Sequence, residues 1–368
     1  MTTPLTPAAV TATTDTPEQA IESSRFSFAA WGNDLYAGRR SYAIVPKRRW
    51  WFVISAVLAI ASLAVLGFKG LELGIDFRGG TEVTVENVHS TDQSLASTAV
   101  AQVSPDTESR VAAVGTDALR IQTGALTADQ VQQLTGLLTT AYNVNPDSDI
   151  TVSEVGPTWG QGVSMRALWG VIVFILAAAA FMAIYFRAWR MSLAAIVSML
   201  ADVLIAAGVY ALIGWEVTPS TIIGFLTILG FSLYDKMVVF DKVRENADGV
   251  LDQGRTTYAE RANLAVNQTL VRSINTSVVA LLPVGAILFV GAMLLGAGTL
   301  SDLSLSLFVG IAVAAASSLF LATPLEVWLR EREPKIKAHT DKVLAARASL
   351  GAEGGAGDDS LLASDLGA

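Results

Sequence analysis

The chain has 368 residues, 52% of them hydrophobic and only 16% charged, and its mean hydropathy is +0.48. That balance excludes an ordinary soluble domain and places the chain in a membrane. A net charge of −8 argues against nucleic acid as a partner, and the absence of cysteine excludes disulfides, thiol nucleophiles and cysteine-rich metal sites.

Residues 1–24 are rich in Thr, Pro and Ala and are expected to be disordered. Phe28, Trp31 and Leu35 then fall at i, i+3 and i+7, the spacing of an interfacial helix; an unstructured linker with scattered aromatics accounts for them equally well. After a basic stop at Lys47, Arg48 and Arg49, apolar runs of roughly 20 residues, enough to cross about 30 Å of hydrocarbon, cover 50–68, 167–186, 193–213, 220–240, 273–295 and 303–323. Six spans are expected. The first is longer than a signal h-region and follows a long polar stretch, so it is expected to remain as an anchor.

Lys and Arg cluster beside alternate span ends, at 47–49, at Arg187 and Arg190, at Lys242, Arg244, Arg255 and Arg261, and at Arg330, Arg332, Lys335 and Lys337. The positive-inside rule then makes both termini cytoplasmic. The expected division is a partly disordered N-terminal tail (1–46), a first span (47–76), an extracytoplasmic domain (77–165), a bundle of five spans (166–325) and a largely disordered cytoplasmic tail (326–368). His89 and His339 fall on opposite sides in this scheme, so no two-histidine metal centre and no cofactor are expected.

The external segment has its own periodicity. A strand from Thr81 to Val88 is followed by a capping box over Ser90–Gln93 and a helical run to Val103. Two strands, 110–114 and 118–123, flank the turn signal Gly115-Thr-Asp117. A second capping box at Thr127–Gln130 opens a helix marked by Val131, Leu134 and Leu138, and 149–155 closes as a strand. The order β-α-β-β-α-β predicts a small ferredoxin-like α+β module.

The spans carry few polar residues, and these are the candidate site. Asp235 lies about 24 Å along a helix from Pro219, in its cytoplasmic third. An ionisable residue at membrane depth is a hypothesis about an ion pathway. Ser220, Gly224 and Thr227 are expected to share its face. Arg272 opens the fifth span at similar depth, with Ser273, Asn275, Thr276 and Ser277 after it. A pair between Asp235 and Arg272, broken by protonation, would let a proton bias helix packing. A static pair, or Asp235 neutralised by Lys236 while Arg272 snorkels to headgroups, fits the same residues. Asp202 in the third span is either a second relay position or a helix-to-helix hydrogen bond. Gly74, Asp76, Arg78, Gly79 and Gly80 allow a tight turn after the first span, with Asp76 and Arg78 at the interface.

Four segments in order carry a resemblance: Gly74-Ile-Asp-Phe-Arg-Gly-Gly80, Ser232-Leu-Tyr-Asp-Lys-Met-Val-Val-Phe-Asp-Lys-Val-Arg-Glu-Asn246, Val271-Arg-Ser-Ile-Asn-Thr-Ser277 and Ala322-Thr-Pro-Leu325. Over 38–331 the chain resembles the SecF family, the smaller partner of SecD in bacterial protein export. The resemblance implies a six-helix half of a resistance-nodulation-division (RND) transporter that pairs with SecD. It also implies association with the SecYEG channel and use of the proton motive force for late translocation of a preprotein after SecA has acted, without covalent catalysis. It assigns the proton relay to Asp235 and Arg272; from the residues themselves, Asp202 is a candidate further member and Ser232, Ser273, Asn275 and Thr276 are candidate supporting polar positions. Two positions depart from the family pattern: Lys236, where a small hydroxylated residue is more usual, and Ala201, where a His often precedes the Asp. An RND exporter of lipid or drug and a passive membrane scaffold are the alternatives. An intramembrane protease lacks its Gly-x-Gly-Asp or His-Glu-x-x-His signature.

Overall fold

A computed structural model describes residues 28–107, 109–294 and 298–364. The expectation for residues 1–24 lies outside the described residues. Among the described residues, six helices are long and apolar enough to cross a membrane: Arg48–Phe68, Thr158–Phe186, Trp189–Ile213, Pro219–Asp252, Tyr258–Gly291 and Leu300–Arg330. All six predicted apolar runs fall within or overlap these helices.

The chain enters through α1 (Phe28–Tyr36), whose Leu35 is fully buried. It packs on the start of the fifth span, α10 (Tyr258–Ala286). The connecting loop is strapped there by amides: Asn263 Oδ1 accepts from the backbone N–H groups of Ile44 and Val45, and Asn267 Oδ1 from Tyr42 N–H at 2.7 Å. The first span, α2 (Arg48–Phe68), packs along the third, α8 (Trp189–Ile213). Ser62 of α2 meets Gly208 so closely that a Cβ there would strike its side chain. Small residues at such crossings are what let helices associate where lipid removes the hydrophobic incentive.

Between α2 and the second span, α7 (Pro157–Phe186), stands the α+β domain. Its strands β2 (Gly80–Val85), β3 (Ser109–Val114), β4 (Ala118–Thr123) and β5 (Ile150–Val155) form an antiparallel sheet in the order β3-β4-β2-β5. That order, with α4 (Gln93–Val103) and α5 (Ala128–Tyr142) on one face, is the predicted split βαβ arrangement. Val83, Val85, Leu119 and Ile121 point inward from the two central strands and pack on Ala96, Val100, Leu134 and Leu138. The Thr127–Gln130 capping box forms. The other does not: α4 starts at Asp92, whose carboxylate accepts from Ser94 N–H at 2.9 Å, because Ser90 lies before the turn that the helix uses.

The fourth span, α9 (Pro219–Ala247), runs through the centre of the bundle. Its buried stripe is Thr221, Gly224, Phe225, Ile228, Leu229, Ser232, Asp235, Lys236, Val239, Phe240 and Val243. Thr227, expected on that face, is exposed and bonds back to Ile223 O. The sixth span is jointed. Helix α11 (Gly298–Ser317) passes into a π-helical stretch, Ser318–Ala322, before α12 (Thr323–Arg330). The wide turn is closed by Thr323 Oγ1 donating to Ser318 O at 3.2 Å. Beyond it the backbone is helical over α13 (Pro334–Ser364), where the composition predicts a largely disordered tail. Pro334 at a first-turn position starts the helix, and the Ala-rich run after it has strong helix propensity.

Candidate functional site

The helix spacing of α9 puts Ser232, Asp235 and Lys236 on one buried face, and α8 and α10 supply the opposing side chains. Lys236 Nζ lies 2.6 Å from Asp202 Oδ2 and 2.6 Å from Ser232 Oγ, and Ser232 Oγ donates to the same Asp202 oxygen at 2.6 Å. On the next turn Ser273 Oγ faces both oxygens of Asp235, at 3.1 and 3.0 Å. Asp202, Asp235 and Lys236 are 1%, 3% and 0% exposed. The Ser318 hydroxyl, at the π-helical joint of the last span, also stands beside Asp235.

Charge counting makes this cluster unusual. Two carboxyls and one ammonium are buried together, and a charge at membrane depth persists only when paired, hydrated or neutralised. The ammonium is committed to Asp202. Asp235 has only hydroxyl partners, while it still feels both the Lys236 cation and the Asp202 anion. Of the two acids, Asp235 is therefore the one without a cationic partner.

The predicted residues divide. Asp202, Ser232, Asp235 and Ser273 come together. Arg272 does not join them: it is exposed, makes no ion pair among the described residues, and lines a cleft of about 570 Å³ with Asp241, Lys242 and Thr269. It shares the depth of Asp235, but it is one residue from Ser273 and so is turned about 100° around α10. Asn275 is exposed, and Thr276 bonds to Arg272 O, so neither supports the cluster. Lys236, the departure from the family pattern, does not neutralise Asp235 directly; it pairs across to Asp202.

A third buried acid escaped the sequence reading. Glu326 of α12 is fully buried, accepts from Tyr258 OH at 2.6 Å, and has Arg330 Nε at 3.8 Å. The signal was an ionisable residue directly after Thr323-Pro-Leu325.

The glycine motif after the first span is a joint. The short helix α3 (Ile75–Arg78) packs on α7 and buries Phe77 in an apolar cluster that also holds Tyr210, Phe225 and Ile228 of the bundle. The two-residue strand β1 (Glu72–Leu73) pairs in parallel with β6 (Glu216–Val217), and Gly74 N–H donates to Val217 O at 2.9 Å. Gly80 has φ of +148°, and a Cβ there would collide with Thr123 O. Across the joint, Gln122 Nε2 donates to Glu82 (2.9 Å) and Glu216 (3.0 Å), and Arg110 bonds Glu72 (3.0 Å) and Gly214 O (2.7 Å). Burial pushes the Glu216 carboxyl above its ordinary range. Burial, then the Glu82 charge, does the same to Asp76. Arg78 is exposed.

Among the described residues, six membrane-length helices with a buried Asp202–Lys236 pair and a second buried acid at their centre, and a small ferredoxin-like domain between the first two, define a polytopic membrane protein that holds charge inside its bundle. The family model described as "Protein export membrane protein SecD/SecF, C-terminal" matches residues 138–332, and that of the "SecD/SecF GG Motif" matches 64–86. The chain is 44% identical over 323 residues to the protein translocase subunit SecF of Streptomyces coelicolor, covering 88% of this chain and 86% of the relative. It is 40% identical to SecF of Mycobacterium tuberculosis, covering 92% and 78%. The crystal structure of Thermus thermophilus SecDF, described as translocon-associated, superposes with a TM-score of 0.70 at 30% identity. That match covers 80% of this chain but only 39% of the longer one. The chain belongs to the SecF family of protein translocase subunits, and its role lies in protein export.

Proposed function

We propose that the chain couples the proton motive force to late steps of protein export, as one half of a SecD–SecF pair in the bacterial plasma membrane. The observation that carries this reading is the charge imbalance between α8 and α9: of two buried carboxyls, only Asp202 has the one ammonium, and Asp235 has hydroxyl partners alone. Protonation of Asp235 leaves a neutral cluster, whereas its release leaves an uncompensated charge that favours other packing. A unit charge moved across 100 mV is worth about 2.3 kcal/mol, enough to bias a two-state rearrangement.

The partner is argued from relatives in which two halves are fused. The chain spans 39% of the solved SecDF chain, and relatives in Thermus thermophilus and Bacillus subtilis named SecDF are likewise about two and a half times its match; a SecD-type half supplies the remainder. Both termini are cytoplasmic by the distribution of Lys and Arg. The channel SecYEG, SecA and the translocating preprotein are the further partners, with the α+β domain outside. Arg272 acts from the cytoplasmic cleft below Ser273 rather than as the resting partner of Asp235.

The test is Asp235→Asn in vesicles holding this chain, its SecD-type half and the channel. Stimulation of export by a proton gradient is expected to vanish while the halves still co-purify. Undiminished stimulation would support a passive scaffold instead.

A further inference from the structure

We propose that a dry apolar layer across α8, α9 and α11, closed by Ile228 seated on Gly310, is the outer gate that keeps external water and protons from the buried carboxyls. The inference rests on the ion-coupled reading above and names the side chain that controls access to that site from outside.

Three helices carry the same succession of levels along their buried faces. On α8, Tyr210, Ala206 and Asp202 follow one another at intervals of four residues, all buried. On α11 and the joint after it, Ser306, Gly310, Ala314 and Ser318 repeat at the same interval, again all buried. On α9 the buried order is Thr221, Phe225, Ile228 and Ser232. Residues three or four apart stack on one face of a helix, so polar, apolar and polar levels line up across the bundle.

The outer level meets the exterior. A cleft of about 460 Å³ between the α+β domain and the bundle is lined by Arg120, Glu216, Ser301 and Asp302 and reaches Tyr210 and Leu305. There Tyr210 OH donates to Asp302 O at 3.4 Å, and the Thr218 and Thr221 hydroxyls lie 3.2 Å apart. The inner level is the cluster of Asp202, Ser232, Asp235 and Lys236. Asp202 is eight residues from Tyr210, about 12 Å along α8.

No polar side chain bridges that gap among the described residues of these three faces. Residues 203–209 of α8 and 307–316 of α11 carry only hydrocarbon side chains or glycine. Thr227, the one hydroxyl between Thr221 and Ser232 of α9, is exposed and bonded back to Ile223 O. Ala206, Phe225, Ile228 and Ala314 belong to one apolar cluster. Ile228 is buried, and its side chain fills the notch at Gly310 so fully that a Cβ there would collide with three of its carbons. An apolar layer without room for water stays dry, and a dry constriction stops a proton, which travels along hydroxyls or waters. A crossing that served packing alone would also set a small residue against a branched one. The gate differs from it in what happens when Ile228 is made small and polar.

The experiment uses vesicles holding this chain and its SecD-type half, external domain outward, with a pH dye inside and acid outside. Ile228→Ser extends the hydroxyls of Thr221 and Ser306 towards Ser232 and is expected to raise proton entry severalfold over the wild type. Ile228→Leu, of equal volume, is expected to stay tight, and adding Asp235→Asn to Ile228→Ser to restore tightness. A serine variant that co-purifies with its partner half and is as tight as the wild type overturns the inference. A second arm keeps Ile228 in place. The chain has no cysteine, so Ser301→Cys in the cleft and Ser232→Cys behind the layer each give a single thiol, and silver ion is added outside. The first thiol is expected to react severalfold faster. Equal rates overturn the inference, and they can be read even if Ile228→Ser fails to fold. Should Asp235→Asn leave the leak of the serine variant running, coupling through Asp235 falls while the silver rates still decide the gate.

Discussion

In the α+β domain the interior is apolar, filled by Val83, Leu119, Ile121, Leu134 and Leu138, and polar side chains work at its edges, as Thr127 does in capping α5. The centre of the bundle carries Asp202, Ser232, Asp235, Lys236 and Ser273 inside, and leaves large apolar side chains such as Val57, Leu176 and Val279 facing outward. Water drives the first arrangement by expelling hydrocarbon. Lipid supplies no such drive, so the second holds together through close crossings and satisfied polar groups. A polar residue inside the bundle is therefore costly to keep, and its presence points to work.

That contrast can be broken from the bundle side first. Lys236→Met strands the buried Asp202 charge and is expected to cost about 3–5 kcal/mol in detergent unfolding, whereas the double variant Asp202→Leu, Lys236→Met recovers most of it. A double-variant loss equal to the sum of the Asp202→Leu and Lys236→Met losses would mean that the pair is not coupled. From the domain side, Leu134→Ala removes apolar contacts only. It is expected to cost about 2–5 kcal/mol, seen as faster proteolysis within the domain with the spans still protected. Cleavage spreading through the spans would show that the two regions fold as one unit.

The smallest effect belongs to the joint between them. Glu216 and Asp76 are pushed up by burial, so the seated domain binds protons more readily than the free one. Seating is then fullest at acid pH and weakens as the pH rises through their elevated values. Glu216→Gln should flatten that dependence, measured as the distance between labels on the domain and on α9 across pH. An unchanged slope would remove Glu216 from the joint.

Much of this was legible in the residues. Long apolar runs gave the six spans, and alternation with two helical stripes gave the sheet order of the domain. Asp235 stood out because nothing near it in sequence could neutralise it except Lys236. The azimuth of Arg272 was harder to see, since depth along a helix does not fix direction around it. The signal existed: Ala262, Val266, Thr269, Ser273 and Ser277 form the buried stripe of α10, and Arg272 lies off it. The pairing of Lys236 with Asp202 joins residues 34 positions apart on different helices, which no local pattern could reveal. The motif Gly74–Gly80 suggested a turn; its role in seating Phe77 in the bundle required the third dimension.

The jointed last span bears on how such a machine can bend. Pro324 has no N–H to give the preceding turn, and one residue earlier the Thr323 hydroxyl donates to Ser318 O across the wide loop of backbone. The span is thus two stiff rods meeting at a soft elbow, and Ser318, the first residue of that elbow, sits against the acid. Flexing there would exchange the hydroxyl next to Asp235 while α11 and α12 each keep their own neighbours, so a change at one carboxyl and a change in the shape of the bundle share a single pivot.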